Sequence, residues 1–209
     1  MTPVKRPERR RVVLATRNPK KLAELRRIVE AQLPDITVLG LDDVAPYVEP
    51  AETEATFEAN ALIKARAAVA ATALPALADD SGLCVDALNG MPGVLSARWS
   101  GRAKDDAANN ALLLAQTVDV PDERRSAQFR CAMALVTPHD GERVRTGVMR
   151  GRLLREAVGD GGFGYDPLFV ADGQQLSNGE LSPAAKDAIS HRGAALRAIV
   201  PDLVAVLAS

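Results

Sequence analysis

The chain has 209 residues, 47% of them hydrophobic, enough to bury a sizeable core in one large domain or two closely joined lobes. A formal net charge of -1, with 26 Lys and Arg scattered among 27 acids, excludes the global basic field of a nucleic-acid-binding protein. Two cysteines and two histidines exclude a dense disulfide framework and a four-ligand zinc site of the usual spacing, so any metal here is held by oxygen.

In chain order, the opening "MTPVKRPERRR" is basic and has no apolar segment behind it, so residues 1–10 are expected to form a flexible tail and 11–209 one compact domain, two-lobed by the resemblance given below. The run 11–16, "RVVLAT", is β-rich. Asn18 then serves as a plausible N-cap with Pro19 at the first helical position, and Leu22, Leu25, Val29 and Leu33 give the helix one apolar stripe. A second strand is expected at 36–41 and an acidic, proline-marked loop at 42–54. A helix follows from about 56 to 73, with Phe57, Ala61, Ala65 and Ala68 on one face. The segment "PALADDSGLCVDAL" suggests a short strand entering a turn, with Asp79 and Asp80 at the strand's end. Helix 105–118 precedes two strands paired around the turn "HDG", which contains His139, expected at the surface. The C-terminal "HRGAALRAIVPDLVAVLAS" is helical, interrupted or restarted at Pro201. The pattern is α/β with a mixed sheet, because a central hairpin does not suit a purely parallel one. The longest weakly polar run, "AAVAATALPALA", is short and broken by Pro75, which argues for a cytoplasmic protein with no membrane segment.

Several stretches carry chemistry. Residues 159–164, "GDGGFG", fit the spacing of a dinucleotide-binding loop, but Tyr165, Asp166 and Pro167 lead into the β-like "LFV". No helix N-terminus follows to receive a pyrophosphate, so the glycines either form a plain turn or let a loop present Phe163 and Asp166. A better phosphate site is "LATRNPKK", where a strand ends and a helix starts, so that free backbone N–H groups converge with Thr16, Asn18 and Lys21. An ordinary capped helix with solvated lysines is the alternative. "EPAETE" supplies Glu49, Glu52 and Glu54, and "LADDSG" supplies Asp79 and Asp80. Adjacent carboxylates repel unless a cation lies near, and oxygen ligands of this kind suit Mg2+ bridged to substrate phosphates. An acidic turn without a metal is the competing reading. Asn60 and Lys64, at i and i+4, share a helix face. Lys21, Lys64 and Lys186 are three of only six lysines, in a chain that otherwise supplies its cations as Arg.

Taken together, "TRNPKK", "ETEATFEANALIKA", "LADDSGLCVDAL" with "MPGVLSARWSG", "GGFGYDP" and "KDAISHRG" resemble, in order and spacing, the inosine triphosphate pyrophosphatase family. The resemblance covers the chain from Arg11 to about Leu207. It implies a long mixed β-sheet flanked by helices, two lobes around a central active-site cleft, and a homodimer. The implied activity is hydrolysis of ITP, dITP and XTP to the monophosphate and pyrophosphate with Mg2+. By the same resemblance the phosphate-contacting positions are Thr16, Arg17, Asn18, Pro19, Lys20, Lys21 and Lys64. Asp80 matches the proton acceptor and a metal ligand, Ser81 lies beside it on the substrate, and Glu52 matches the second metal carboxylate. Phe163, Gly164, Tyr165, Asp166, Lys186, His191 and Arg192 match nucleoside-binding positions. A nucleotide-binding regulator without turnover is the rival of another class, and the adjacent carboxylates count against it. Related pyrophosphatases of modified pyrimidine nucleotides are a more distant alternative.

Overall fold

The computed structural model describes residues 10–33, 35–101 and 105–208; the expected tail lies outside them except for Arg10, the first residue of β1. Six strands form one sheet in the order β2-β1-β3-β4-β5-β6. They are β1 (Arg10–Leu14), β2 (Ile36–Leu39), β3 (Ala76–Val85), β4 (Ser126–Val136), β5 (Glu142–Leu153) and β6 (Phe169–Ala171). β1 runs parallel to β2 and β3, and the pairs β3–β4, β4–β5 and β5–β6 are antiparallel. The sheet is therefore mixed. The parallel half comes from a β-α-β crossover through α1 (Pro19–Gln32), and the antiparallel half follows from the tight β4–β5 turn.

Helices cover both faces. α1 and α5 (His191–Ala208) enclose Val12, Leu14, Leu25, Leu77, Met133, Leu196 and Ile199 on one side. α2 (Phe57–Thr72) covers the other, its Ala61, Ala65 and Ala68 meeting Ala76, Ala78, Ala132 and Ala134. Small residues on both partners let that helix approach the sheet closely. A third apolar cluster, with Leu83, Leu113, Phe129 and Phe169, joins α3 (Asp106–Gln116) to the far end of the sheet. Two glycines mark backbone contacts. At Gly82 an added Cβ would lie 2.3 Å from the Gly93 carbonyl, so the 3-10 segment Gly93–Arg98 rests directly on β3. At Gly147 it would lie 2.1 Å from the His191 carbonyl, so the start of α5 rests directly on β5.

Two sequence expectations change, and one element is added. "ADDSG" does not end a strand: β3 runs for ten residues straight through Asp79–Gly82 and is hydrogen-bonded to β4 along its whole length. α5 continues through Pro201, because Leu196, Ile199 and Leu203, on both sides of the proline, are fully buried against the sheet and hold both halves in line. The residues before α5 form a separate helix, α4 (Pro183–Ile189), capped by Ser182, whose hydroxyl accepts the Ala185 N–H at 3.3 Å.

Candidate active site

β1 leaves the sheet earlier than β3 does. Its last paired residue, Leu14, is opposite Leu77, and the Ala15 N–H donates to the Leu77 carbonyl at 2.8 Å. β3 continues beyond that point, so Asp79, Asp80 and Ser81 lie on an edge that faces the β1–α1 loop. A crevice at the C-terminal end of a parallel strand is where open α/β sheets characteristically receive ligands.

Side chains alternate along a strand, so the two aspartates face opposite sides of the sheet. Asp79 shares its side with Leu77 and with α1 and α5. Its Oδ2 accepts from the Lys21 ammonium at 2.8 Å and lies 3.5 Å from Arg192 Nε. These cations, with Lys64, hold Asp79 well below the usual carboxylate range in spite of complete burial. Ser81, two residues on, shares that side, and its hydroxyl accepts from the Arg192 guanidinium at 3.2 Å. Asp80 shares its side with Ala76, Ala78 and α2. The Lys64 ammonium is 3.9 Å from Asp80 Oδ1 and donates to Glu52 Oε1 at 2.6 Å. Burial pushes Asp80 up to about 6; the Glu52 and Asp79 charges add to that rise, and Lys64 opposes it.

Glu52 is the member of the acidic loop that turns inward. Arg98 holds it from the other side, with Nη1 3.5 Å from Oε2 and Nη2 donating to the Glu52 carbonyl at 3.3 Å. Glu49 instead pairs with Arg17, and the exposed Glu54 has its backbone clamped by Asn60. Asn60 is fully buried and both accepts from the Glu54 N–H at 2.9 Å and donates to the Glu54 carbonyl at 3.2 Å. The shared helix face of Asn60 and Lys64 thus serves two purposes, holding the loop and meeting its glutamate.

The β1–α1 turn is capped as the sequence suggests. Asn18 Oδ1 accepts the Lys21 N–H at 3.3 Å, and Thr16 Oγ1 accepts the Asn18 N–H at 3.3 Å. Pro19 opens α1, and the side chain of Lys20 lies outside the described residues.

The loop carrying Phe163 forms the other end. Asp166, buried, accepts from the Phe163 N–H at 2.7 Å and from the Lys186 ammonium at 2.5 Å. The Phe163 ring has Lys186 Nζ 4.7 Å and Arg192 Cζ 5.0 Å from its centroid. Phe163 and Lys186 line a cavity of about 200 Å3 together with Gly161, Gly162, Pro183 and Asp187. Tyr165 points inward, its hydroxyl donating to the Ser96 carbonyl at 2.9 Å. His191 is buried and stacks on Phe129 at 4.9 Å with both ring nitrogens lacking a hydrogen-bond partner. Burial and the neighbouring Arg192, Lys186 and Lys21 charges lower its pKa well below the ordinary value. No helix begins after Gly164; a 3-10 turn, Asp166–Leu168, leads into β6. His139 is exposed in the β4–β5 turn.

The structure thus brings Thr16, Asn18, Lys21, Asp79, Asp80, Ser81, Glu52 and Lys64 to one end and Phe163, Lys186, His191 and Arg192 to the other. Arg192 touches both. Arg98 and Asn178, whose Nδ2 donates to Asp166 at 3.4 Å, are residues that the sequence pattern does not signal; Asn60 is signalled by its i, i+4 spacing with Lys64.

The donor set fits a hard divalent cation. Asp80 Oδ2 is buried with no hydrogen-bond partner, and a second carboxylate, Glu52, is tied to the same lysine. Among the described residues no group of three or more His, Cys, Asp or Glu could enclose a metal by itself. Two carboxylates with further positions left to water and phosphate match the habit of Mg2+.

A dITP/XTP pyrophosphatase of Nocardia farcinica is 63% identical over 197 residues, covering 94% of this chain and 96% of that protein. The crystal structure of a nucleoside-triphosphatase / dITP/XTP pyrophosphatase from Mycobacterium abscessus superposes with a TM-score of 0.75 at 57% identity, over 91% of this chain and 99% of that one. The Ham1 protein of Staphylococcus aureus superposes with a TM-score of 0.84 at 36% identity, over 94% and 99%. The model of the Ham1 family matches residues 12–202, and the chain belongs to that family.

Proposed function

We propose that the chain hydrolyses ITP, dITP and XTP to the nucleoside monophosphate and pyrophosphate, clearing them from the nucleotide pool, in a cleft between the β1–α1–α2 side and the Phe163–α5 side. The observation that carries the reading is Asp80: a buried carboxylate at a strand edge, held up to about 6, with one oxygen unpartnered. A carboxylate oxygen with no partner inside the protein is free to accept a proton from water. Glu52 and Asp80 would hold Mg2+, which when bound supplies charge neutralisation on the triphosphate.

The chain's own residues do the rest. Lys21, Lys64 and the first turn of α1, with Thr16 and Asn18, bind the phosphates and fix their direction. Asp80 orients the attacking water toward the α-phosphorus and takes its proton, while pyrophosphate leaves on the opposite side. Phe163 stacks on the base, and Lys186 and Arg192 offer donors to an O6 acceptor that adenine lacks. His191, kept neutral, retains an acceptor nitrogen as well as a donor. The family resemblance implies a homodimer, and a cytoplasmic setting is the expectation from the sequence; among the described residues no helix is long and apolar enough to cross a membrane.

The test is a panel of nucleoside triphosphates with Mg2+ and separate detection of pyrophosphate and orthophosphate. ITP, dITP and XTP should release pyrophosphate far faster than ATP or GTP release it. Orthophosphate as the first product, or equal rates across the panel, overturns the reading.

A further inference from the structure

Helix α3 contributes no residue to the phosphate or base contacts above, yet it grips the loop that carries Phe163. Asp106 accepts the Gly164 N–H at 2.7 Å, and Asn110 donates its Nδ2 to the Gly164 carbonyl at 3.0 Å. The i, i+4 spacing sets both on one helix face, so that face holds both polar groups of the residue next to Phe163. Gly164 has φ +62°, a conformation that side chains rarely adopt, so the clamp fixes an otherwise pliable link.

The helix itself is anchored. Asn109, buried, accepts at Oδ1 from the Ser100 N–H at 2.7 Å and the Ser100 hydroxyl at 2.8 Å. Gln116, near the other end of α3, accepts from the Trp99 indole at 2.8 Å. Ser100 and Trp99 directly follow the 3-10 segment that rests on β3 at Gly82, two residues beyond Asp80. A continuous set of contacts therefore runs from the catalytic strand through 93–101 and α3 to Gly164.

We propose that Asp106 and Asn110 are positioning residues for the aromatic wall: they set where the Phe163 ring stands relative to Lys186 and Arg192 without touching nucleotide. This rests on the functional reading above. The alternative, a tie that only stabilises the fold, would change stability and leave recognition alone.

The experiment measures KM and kcat for ITP, the equilibrium affinity for ITP without metal, and Tm, in wild type and variants. Asp106→Ala and Asn110→Ala should each raise KM and weaken ITP binding about tenfold, the size expected from one well-made hydrogen bond to an ordered loop, with kcat within about twofold. Asp106→Asn keeps an acceptor and should recover most of the affinity. In a Phe163→Ala background, Asp106→Ala should add almost nothing. Ala111→Gly, exposed in the middle of α3, lowers helix stability without altering the clamp and should reduce Tm alone. The proposal is overturned if Asp106→Ala and Asn110→Ala behave like Ala111→Gly, or if their effects add fully to Phe163→Ala. Should the wild type bind ITP but release no pyrophosphate, the functional reading fails while the affinities still decide the clamp; should it not bind ITP, both fail.

Discussion

Around Asp79 and Asp80 the side chains stand on β3, α1 and α2, and nearly every charge already faces an opposite one: Lys21 with Asp79, Lys64 with Glu52 and Asp80, Arg98 with Glu52. Around Phe163 they stand on a glycine-rich loop and the first turns of two helices, and the cations of Lys186 and Arg192 gather over one aromatic ring. The first region is built to keep charge in place before a highly charged group arrives. The second is built to distinguish neutral rings by their edges. On the proposed function one end would govern rate and the other affinity, and substitutions should separate along that line.

The largest effect is expected at the phosphate end. Asp80→Asn removes the proposed proton acceptor but keeps the shape, and kcat should fall on the order of a hundredfold or more, with ITP affinity changed little. A comparable loss of affinity, measured by equilibrium binding, would mean that the two ends are not separable. Next in size, Glu52→Gln should raise the Mg2+ concentration for half-maximal rate by about tenfold, the loss expected when one charged oxygen donor goes. Glu54→Gln should leave that titration where it is, since Glu54 is exposed and only its backbone is held. A shift with Glu54→Gln instead would assign the metal carboxylate to the wrong residue.

The smallest effect belongs to the base end and is read in stability. His191 is neutral in the folded chain, its pKa lowered by burial and by Arg192, Lys186 and Lys21. The unfolded chain takes up a proton near the ordinary value of about 6.5 while the folded chain does not. Stability is therefore unaffected by this group above that pH and falls below it, by up to about 1.4 kcal/mol per pH unit. Denaturant unfolding at pH 7, 6 and 5 should show a steeper decline for the wild type than for His191→Gln. Parallel slopes would show that His191 accepts its proton in the folded state.

Local chemistry made much of this molecule readable. Asn18 with Pro19, and the alanine face of 57–72, were visible because caps and periodicity act within a few residues. β3 was misjudged for a physical reason: Asp-Asp-Ser-Gly is turn-like in water, and what makes it strand is Lys21, Lys64 and Arg192, each distant in sequence from the aspartates they neutralise. Pro201 misled likewise, since tertiary burial outweighs its local cost. The clamp on Gly164 and the hold of Arg98 on Glu52 join residues dozens of positions apart, and no local pattern signals them.

The contact at Gly147 gives the two walls of the base end different mechanics. Where helix backbone lies on strand backbone with no side chain between, there is nothing compressible to absorb motion, so His191 and Arg192 inherit the stiffness of a six-stranded sheet. Phe163 stands on a loop held by hydrogen bonds to Asp166, Asp106 and Asn110, which yield more readily than backbone packed on backbone. A purine entering this end would meet one fixed jaw and one sprung jaw, so differences in ring bulk would be taken up on the Phe163 side while the donors keep their aim. Substituting Gly147 would pry the fixed jaw loose from the sheet.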